Sequence, residues 1–176
     1  MPFTPYHFGP GLLLGVVLFP FLDFSTMMVA SVILDLEPLV VLLLNLPFPL
    51  HGFFHTYLGA TIIAIILAFA LYPMIGFLNK IVSLIGLHQE SSFRHILPAS
   101  IIGTYSHIFL DSFIYPEMNP FFPLLGNPLI GVFPSVFIYS SCIYLGLLGF
   151  GVYVVRLLYN QMKPKQVRIE EDVFFK

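Results

Sequence analysis

Three long apolar segments constrain this chain more than any other feature of its sequence. They cover residues 57–78, 96–115 and 129–155. A helix needs about 20 mostly apolar residues to cross the hydrocarbon core of a bilayer, and each segment reaches that length. Only 9% of the chain is charged, whereas a soluble domain carries roughly 25% charged residues. The sequence therefore predicts an all-α, polytopic membrane bundle.

The N-terminal apolar segment is interrupted and allows two interpretations. Residues 11–34 could form one broken span, but Pro20 blocks a helix interior and Asp23 is a preferred helix N-cap. We therefore predict two short helices, at residues 10–19 and 26–36, that form a hairpin. Gly11 and Gly15 would let these helices approach closely. Residues 38–46 form a further short apolar piece, which ends at the proline-containing residues 47–49.

The distribution of basic residues predicts the orientation. Residues 1–162 are expected to form one transmembrane domain, followed by a polar tail at 163–176. Alternating spans place all the basic residues on one side: Lys80, Arg94, Arg156, Lys163, Lys165, Arg168 and Lys176. The positive-inside rule makes that side cytoplasmic. We expect a protein of the plasma or inner membrane with a cytoplasmic C-terminus.

Four short patterns carry the candidate functional residues, and the predicted topology brings them to the outer face. The residues are His7, Asp35, Glu37, His51, His55, His107 and Asp111. A single first span would separate His7 from Asp35 by about 40 Å, at 1.5 Å per helical residue. A common site therefore depends on the hairpin.

The spacing of these residues favours a metal site. His51 and His55 are four residues apart, as are His107 and Asp111, and this spacing places both members of a pair on one face of a helix. A carboxylate within an apolar span, such as Asp111, is costly unless it is paired. Imidazole and carboxylate ligands suit zinc, iron or manganese. The sequence predicts one or two divalent ions, zinc first, bound by all seven residues, with Glu37 also available as a general base.

The order of these patterns resembles a known family. The elements run from Thr4 to Gly11 (Thr-Pro-x-His-x-x-x-Gly), Asp35 to Glu37 (Asp-x-Glu), His51 to Thr56 (His-Gly-x-x-His-Thr) and Ser106 to Asp111 (Ser-His-x-x-x-Asp). Across residues 4–128 the chain resembles small inner-membrane proteins described as membrane-bound metal-dependent hydrolases, a group related to a LexA-regulated membrane protein. Glu37 stands where that family usually has a second aspartate, and His51 stands where it usually has an arginine.

The resemblance implies an activity. The family is similar, at a distance, to zinc-dependent phospholipases C and related nucleases, which are helical enzymes that cleave phosphoesters. This implies a phosphoester hydrolase, and the depth of the predicted site favours a lipid or lipid-linked substrate. Residues 116–128, with four prolines, could wall the substrate pocket, and Glu117 is a weaker site candidate.

The sequence disfavours some other functions and leaves two alternatives. No Gly-x-Ser-x-Gly elbow or phosphate-binding glycine-rich loop is present, which disfavours a serine hydrolase or a nucleotide-dependent enzyme. The expected partners are the lipid bilayer and the substrate, with no nucleic acid. A transporter of metal ions or protons, and a non-catalytic protein tied together by its polar cluster, are the alternatives.

Overall fold

A computed structural model describes residues 5–162 of the chain. Within this range the protein contains no β-strand, and the all-α prediction is confirmed. The α-helices are α1 (Phe8–Val17), α2 (Phe24–Ala30), α3 (Leu36–Leu43), α4 (Tyr57–Leu71), α5 (Ile75–Leu84), α6 (Phe93–Asp111) and α7 (Ser135–Met162). Short 3-10 turns precede α1 (Pro5–His7), α3 (Ile33–Asp35), α4 (Phe53–His55) and α5 (Tyr72–Met74). Thr4 and the predicted tail at 163–176 lie outside the described residues.

Three helical segments are long and apolar enough to cross a membrane. They are Phe24–Leu43, Tyr57–Leu84 and Ser135–Met162. The second and third correspond to the predicted segments at 57–78 and 129–155. The predicted span at 96–115 is not among these three segments: most of it belongs to α6, which ends at Asp111 and packs against α2 and α4. Polar side chains on its buried face lower its hydropathy, and the neighbouring helices shelter that face.

The N-terminal hairpin is confirmed, and the single broken span is not observed. The Asp23 carboxylate caps α2 by accepting a hydrogen bond from the backbone N–H of Thr26 at 2.7 Å. A Cβ atom added to Gly11 would lie 2.6 Å from the Ser31 hydroxyl, and one added to Gly15 would lie 2.9 Å from the Phe24 ring. The start of α1 therefore faces the end of α2, as two antiparallel helices in close contact require.

Two predicted boundaries are corrected by proline positions. Residues 129–134 form turns, and α7 begins only at Ser135, because Pro134 lacks an N–H donor and suits the start of a helix rather than its interior. The second correction concerns α3, which begins at Leu36 rather than residue 38 and follows α2 through the turn Ile33–Asp35. Pro38 is tolerated there because it lies in the first helical turn. Glu37 consequently opens α3 and does not end the preceding helix.

The chain directions bring four functional segments to one end of the bundle. His7 precedes α1, Asp35 follows α2, His55 precedes α4, and Asp111 is the last residue of α6. At the other end of the bundle, a separate set of polar contacts connects the helices. There the Asp23 carboxylate accepts a hydrogen bond from the Ser91 hydroxyl at 2.6 Å.

The described basic side chains of α6 and α7 lie toward that second end. Arg94 is in the first turn of α6, and the Arg156 guanidinium lies 3.9 Å from the centre of the Phe19 ring, beyond the end of α1. The histidine–carboxylate end and the basic end are therefore on opposite sides of the bundle.

The contact between α2 and α6 should tolerate no added methyl group at Gly103. A Cβ atom there would lie 2.5 Å from the Cβ of Ala30, so Gly103→Ala should lower the free energy of unfolding by about 1–3 kcal/mol through overpacking. Gly76→Ala is the matched control, because a Cβ atom at Gly76 meets no atom within 4 Å and alanine favours a helix by about 1 kcal/mol. Thermal unfolding in detergent should show a lower midpoint for Gly103→Ala only, and equal midpoints would contradict the packing.

Candidate metal centre

Four buried side chains from three segments meet at one end of the bundle. They are Asp35, His55, His107 and Asp111, and one potential ligand atom from each lies within 4.8 Å of the others. His107 Nε2 lies 3.2 Å from Asp111 Oδ2 and 3.7 Å from Asp35 Oδ1. His55 Nε2 lies 4.0 Å from the same Asp111 oxygen. This group could hold a metal ion.

A hydrogen bond at Nδ1 fixes the ring orientation of both histidines in the group. His107 Nδ1 donates a hydrogen bond to the backbone carbonyl of Ser31 at 2.8 Å, and a carbonyl can only accept. His55 Nδ1 donates to Glu37 Oε2 at 2.7 Å. Nδ1 of each ring therefore carries a proton, and in the neutral ring the lone pair is on Nε2. Metal-binding histidines are typically oriented in this way.

The second nitrogen of each ring, Nε2, faces the centre of the group and forms no hydrogen bond within the part of the chain that the structure describes. Nε2 of His55 and Nε2 of His107 are buried and form no hydrogen bond of suitable geometry among the described residues, although Asp111 Oδ2 lies 3.2 Å from His107 Nε2. Buried polar atoms are almost always hydrogen-bonded, because leaving one unpaired costs free energy. Two such nitrogen atoms facing two carboxylates provide the donor atoms that a metal ion can bind.

The distances and charges suit a divalent ion. Two ligands about 2.1 Å from a tetrahedral zinc ion are about 3.4 Å apart, and the three contacts given above, from 3.2 to 4.0 Å, bracket that separation. With neutral histidines, two ionised carboxylates would give the buried group two negative charges, which is strongly unfavourable. One divalent cation balances that charge.

His7 supports the group from the N-terminus. Its Nε2 lies 3.0 Å from Asp111 Oδ1, the carboxylate oxygen opposite the one that faces His55 and His107. Its ring stacks on that of His107, with centroids 3.9 Å apart and planes at 21°. Burial lowers the pKa of His7, and the neighbouring His107 lowers it further, against the opposing effect of Asp111. Burial likewise lowers the pKa of His55. Neutral imidazole is the form that binds metals.

His51 forms a second histidine–carboxylate pair beside the group. Its Nδ1 donates to Glu117 Oε1 at 2.7 Å, and its ring stacks on Tyr115 with centroids 3.7 Å apart. The ring centroids of His51 and His55 are 4.7 Å apart. His51 is 2% exposed, and its Nε2 has no hydrogen-bond partner among the described residues.

The loop after α6 closes over this region. The backbone N–H of Tyr57 donates to the carbonyl of Pro120 at 2.9 Å, and the Asn127 amide donates to the carbonyl of Ser112 at 2.8 Å. These bonds tie the loop to the start of α4 and the end of α6. The loop thereby places Glu117 against His51.

One local prediction was wrong: His51 and His55 do not share a helical face. The 3-10 turn Phe53–His55 follows Gly52, and Thr56 is the N-cap of α4. The Thr56 hydroxyl accepts a hydrogen bond from the Gly59 N–H at 2.9 Å, which fixes the helix start after both histidines. By contrast, His107 and Asp111 do lie one turn apart on α6, as their spacing predicts.

The structure thus places all seven sequence-predicted residues at the same end, in different positions. Four form the central group, His7 and Glu37 contact its members, and His51 lies beside His55. Sequence reasoning missed the Ser31 carbonyl, which no side-chain pattern marks because it is a backbone atom. It also missed Tyr115, whose role depends on stacking with a residue far away in the chain.

No family model matches the chain, no curated protein matches it, and no solved structure matches it. The resemblance drawn from the motifs therefore stays a prediction. The fold and the site define a helical protein with three candidate membrane spans and a buried histidine–aspartate group that could hold a metal ion.

Removing the Glu37 carboxylate, which orients the His55 ring, should weaken metal binding without abolishing it. Glu37→Ala takes away the acceptor of the His55 Nδ1 proton, and loss of such an orienting partner typically lowers metal affinity by about 10–100-fold. Glu37→Gln keeps a hydrogen-bond acceptor, so its metal affinity should fall between those of Glu37→Ala and wild type. Competition with a fluorescent chelator measures the affinities. Glu90→Ala, at an exposed glutamate, is the control, and equal affinity in Glu37→Ala and Glu90→Ala would contradict the orienting role.

Proposed function

We propose that this protein is a membrane-bound, metal-dependent hydrolase that cleaves a phosphoester of a lipid or lipid-linked substrate. Asp35, His55, His107 and Asp111 are its metal ligands, with zinc as the preferred ion. The observation that carries the proposal is the pair of buried Nε2 atoms that face the two carboxylates without forming a hydrogen bond to any described residue, each on a ring whose Nδ1 proton is already donated to another group.

The proposed roles follow from what each side chain contacts. A divalent ion held by these residues would act as a Lewis acid and would lower the pKa of a water molecule toward 7. Glu37 and the Ser31 carbonyl orient the two imidazoles, and His7 orients Asp111 through the oxygen that faces away from the group. Such supporting contacts fix ligand direction before any substrate arrives.

His51 is the better candidate for the general base. Its Nδ1 proton is held by Glu117 and its Nε2 is unpaired, which is the arrangement of a histidine ready to accept a proton. The sequence favoured Glu37 for this role. In the structure, however, Glu37 accepts hydrogen bonds from His55 Nδ1 at 2.7 Å and from the Phe54 N–H at 3.2 Å. Those contacts suit an orienting carboxylate more than a free base.

Two further features support the substrate class and the side of the membrane. The metal centre lies at the end of the bundle opposite Arg94 and Arg156, so the positive-inside rule assigns it to the outer face of the cell membrane. His55 lies just before the candidate span Tyr57–Leu84, and the ends of such spans are where lipid headgroups lie. The motif resemblance to membrane-bound metal-dependent hydrolases favours the same phosphoester chemistry.

Hydrolysis assays on the purified protein test this function. We expect release of product from phosphatidylglycerol or phosphatidic acid in mixed micelles, or from the soluble diester bis(p-nitrophenyl) phosphate. The activity should disappear with a chelator and return with added zinc, because the bound ion activates the water. A protein that retains its metal and cleaves none of these substrates would contradict the phosphoesterase and favour the structural or transport alternatives.

A further inference from the structure

An apolar cavity lies beside the metal centre, between α3, the 3-10 turn before α4, and α4 itself. Its volume is about 540 Å³, which falls within the range of about 300–1,000 Å³ common for small-ligand sites. The side chains that define it are Leu36, Val40, Val41, Phe48, Phe53 and Ile63. No step proposed for the metal centre uses this cavity.

The cavity belongs to the part of the protein that faces lipid. Leu36 and Val40 lie in the candidate span Phe24–Leu43, and Ile63 lies in the candidate span Tyr57–Leu84. Leu36 and Val40 are 49% and 45% exposed in the isolated chain. In a bilayer, acyl chains are the molecules that reach such a surface.

Glu37 links the cavity to the metal centre. It is the charged side chain among the described residues that line the cavity, and its Oε2 accepts the His55 Nδ1 proton at 2.7 Å. Gly52 gives it room, since a Cβ atom there would lie 2.8 Å from Glu37 Oε1. Glu37 is therefore the side chain between the apolar cavity and His55, a proposed metal ligand.

We propose that this cavity binds one acyl chain of a membrane phospholipid and so holds its phosphoryl group at the metal centre. The inference rests on the proposed function and specifies its substrate as a lipid bound by its chain. A peptide is a poorer occupant because its backbone N–H and C=O groups need partners that apolar walls do not offer. An acyl chain has no such groups.

Photocrosslinking tests the cavity without relying on activity. The probe is a phosphatidylglycerol that carries a diazirine on one acyl chain, incorporated into vesicles with the full-length protein, with sites mapped by mass spectrometry. Wild type should crosslink at cavity residues, and Val40→Trp, which fills the cavity, should lose most of that crosslink. Leu43→Trp is the matched control, because Leu43 is 73% exposed on the same helix and is not a cavity residue.

A second measurement separates chain binding from catalysis. Val40→Trp should raise the KM for the long-chain phospholipid while the soluble diester is hydrolysed at the wild-type rate, with metal content unchanged. Crosslinks spread evenly over the apolar surface, or equal crosslinking in Val40→Trp and Leu43→Trp, would overturn the chain-binding proposal even if metal and hydrolysis are found. Crosslinks confined to the cavity of a protein that holds no metal would support chain binding and overturn only the hydrolase.

Discussion

Metal analysis of the detergent-purified protein should give about one divalent ion per chain, with zinc favoured by the two-histidine, two-carboxylate ligand set. His55→Ala and His107→Ala should each lose it, because each variant removes one of four protein ligands. The loss should exceed the roughly 10–100-fold that removal of an orienting partner costs. Inductively coupled plasma mass spectrometry of the three proteins gives the stoichiometry directly.

The control for this experiment is a histidine elsewhere in the chain. His88 is exposed and lies outside the metal centre, so His88→Ala should keep the wild-type stoichiometry. Circular dichroism should show unchanged helix content in all variants, which separates loss of a ligand from loss of the fold. Wild-type protein that binds no divalent ion, even after incubation with zinc, iron or manganese, would refute the metal centre and the hydrolase with it. The cluster would then serve to tie the helices together.

His51→Ala should lower kcat by about 10²–10⁴-fold while metal content stays at the wild-type level. The expected size is that of a general base removed from its reaction. The reason lies in its surroundings: Glu117 holds its Nδ1 proton, and its Nε2 is unpaired beside His55. Single-turnover hydrolysis of the soluble diester measures the chemical step apart from lipid binding.

The same variant shows whether His51 is a general base or a metal ligand. If His51 is a metal ligand, as its spacing from His55 predicts, His51→Ala should lose metal as well as activity. Glu117→Gln is the companion variant, since it keeps a hydrogen-bond acceptor for Nδ1 but removes the charge. It should lower kcat less than His51→Ala does, and unchanged kcat in both variants would contradict the base.

The position of the candidate metal centre explains why its polar groups are tolerated in so apolar a chain. The four central side chains are each 5% exposed or less, and each faces a partner from another helix rather than the lipid. Because unpaired polar groups are costly in hydrocarbon, the bundle concentrates them in one interior cluster. Helix α6 carries two of the four and is the helix that α2 and α4 enclose.

Several features of the fold could be predicted from the sequence because they depend on near neighbours. Pro20 and Asp23 predict the break in the first apolar segment, since proline stops a helix and aspartate caps the next one. His107 and Asp111 meet because four residues make about one helical turn. The same reasoning failed for His51 and His55, where Thr56 starts the helix too late to include them.

The sequence by itself determined the helical class, the membrane-spanning composition and the residue types that gather at one end, because these follow from hydropathy, helix geometry and chain direction. Only the tertiary structure decided which of these residues form the central group and which contact it from outside. His7 reaches Asp111, the Ser31 carbonyl holds His107, and Glu117 holds His51, all across long stretches of chain. Those pairings depend on close helix contacts, such as the approach of α6 to α2 at Gly103, and no local pattern encodes the distance between two helices.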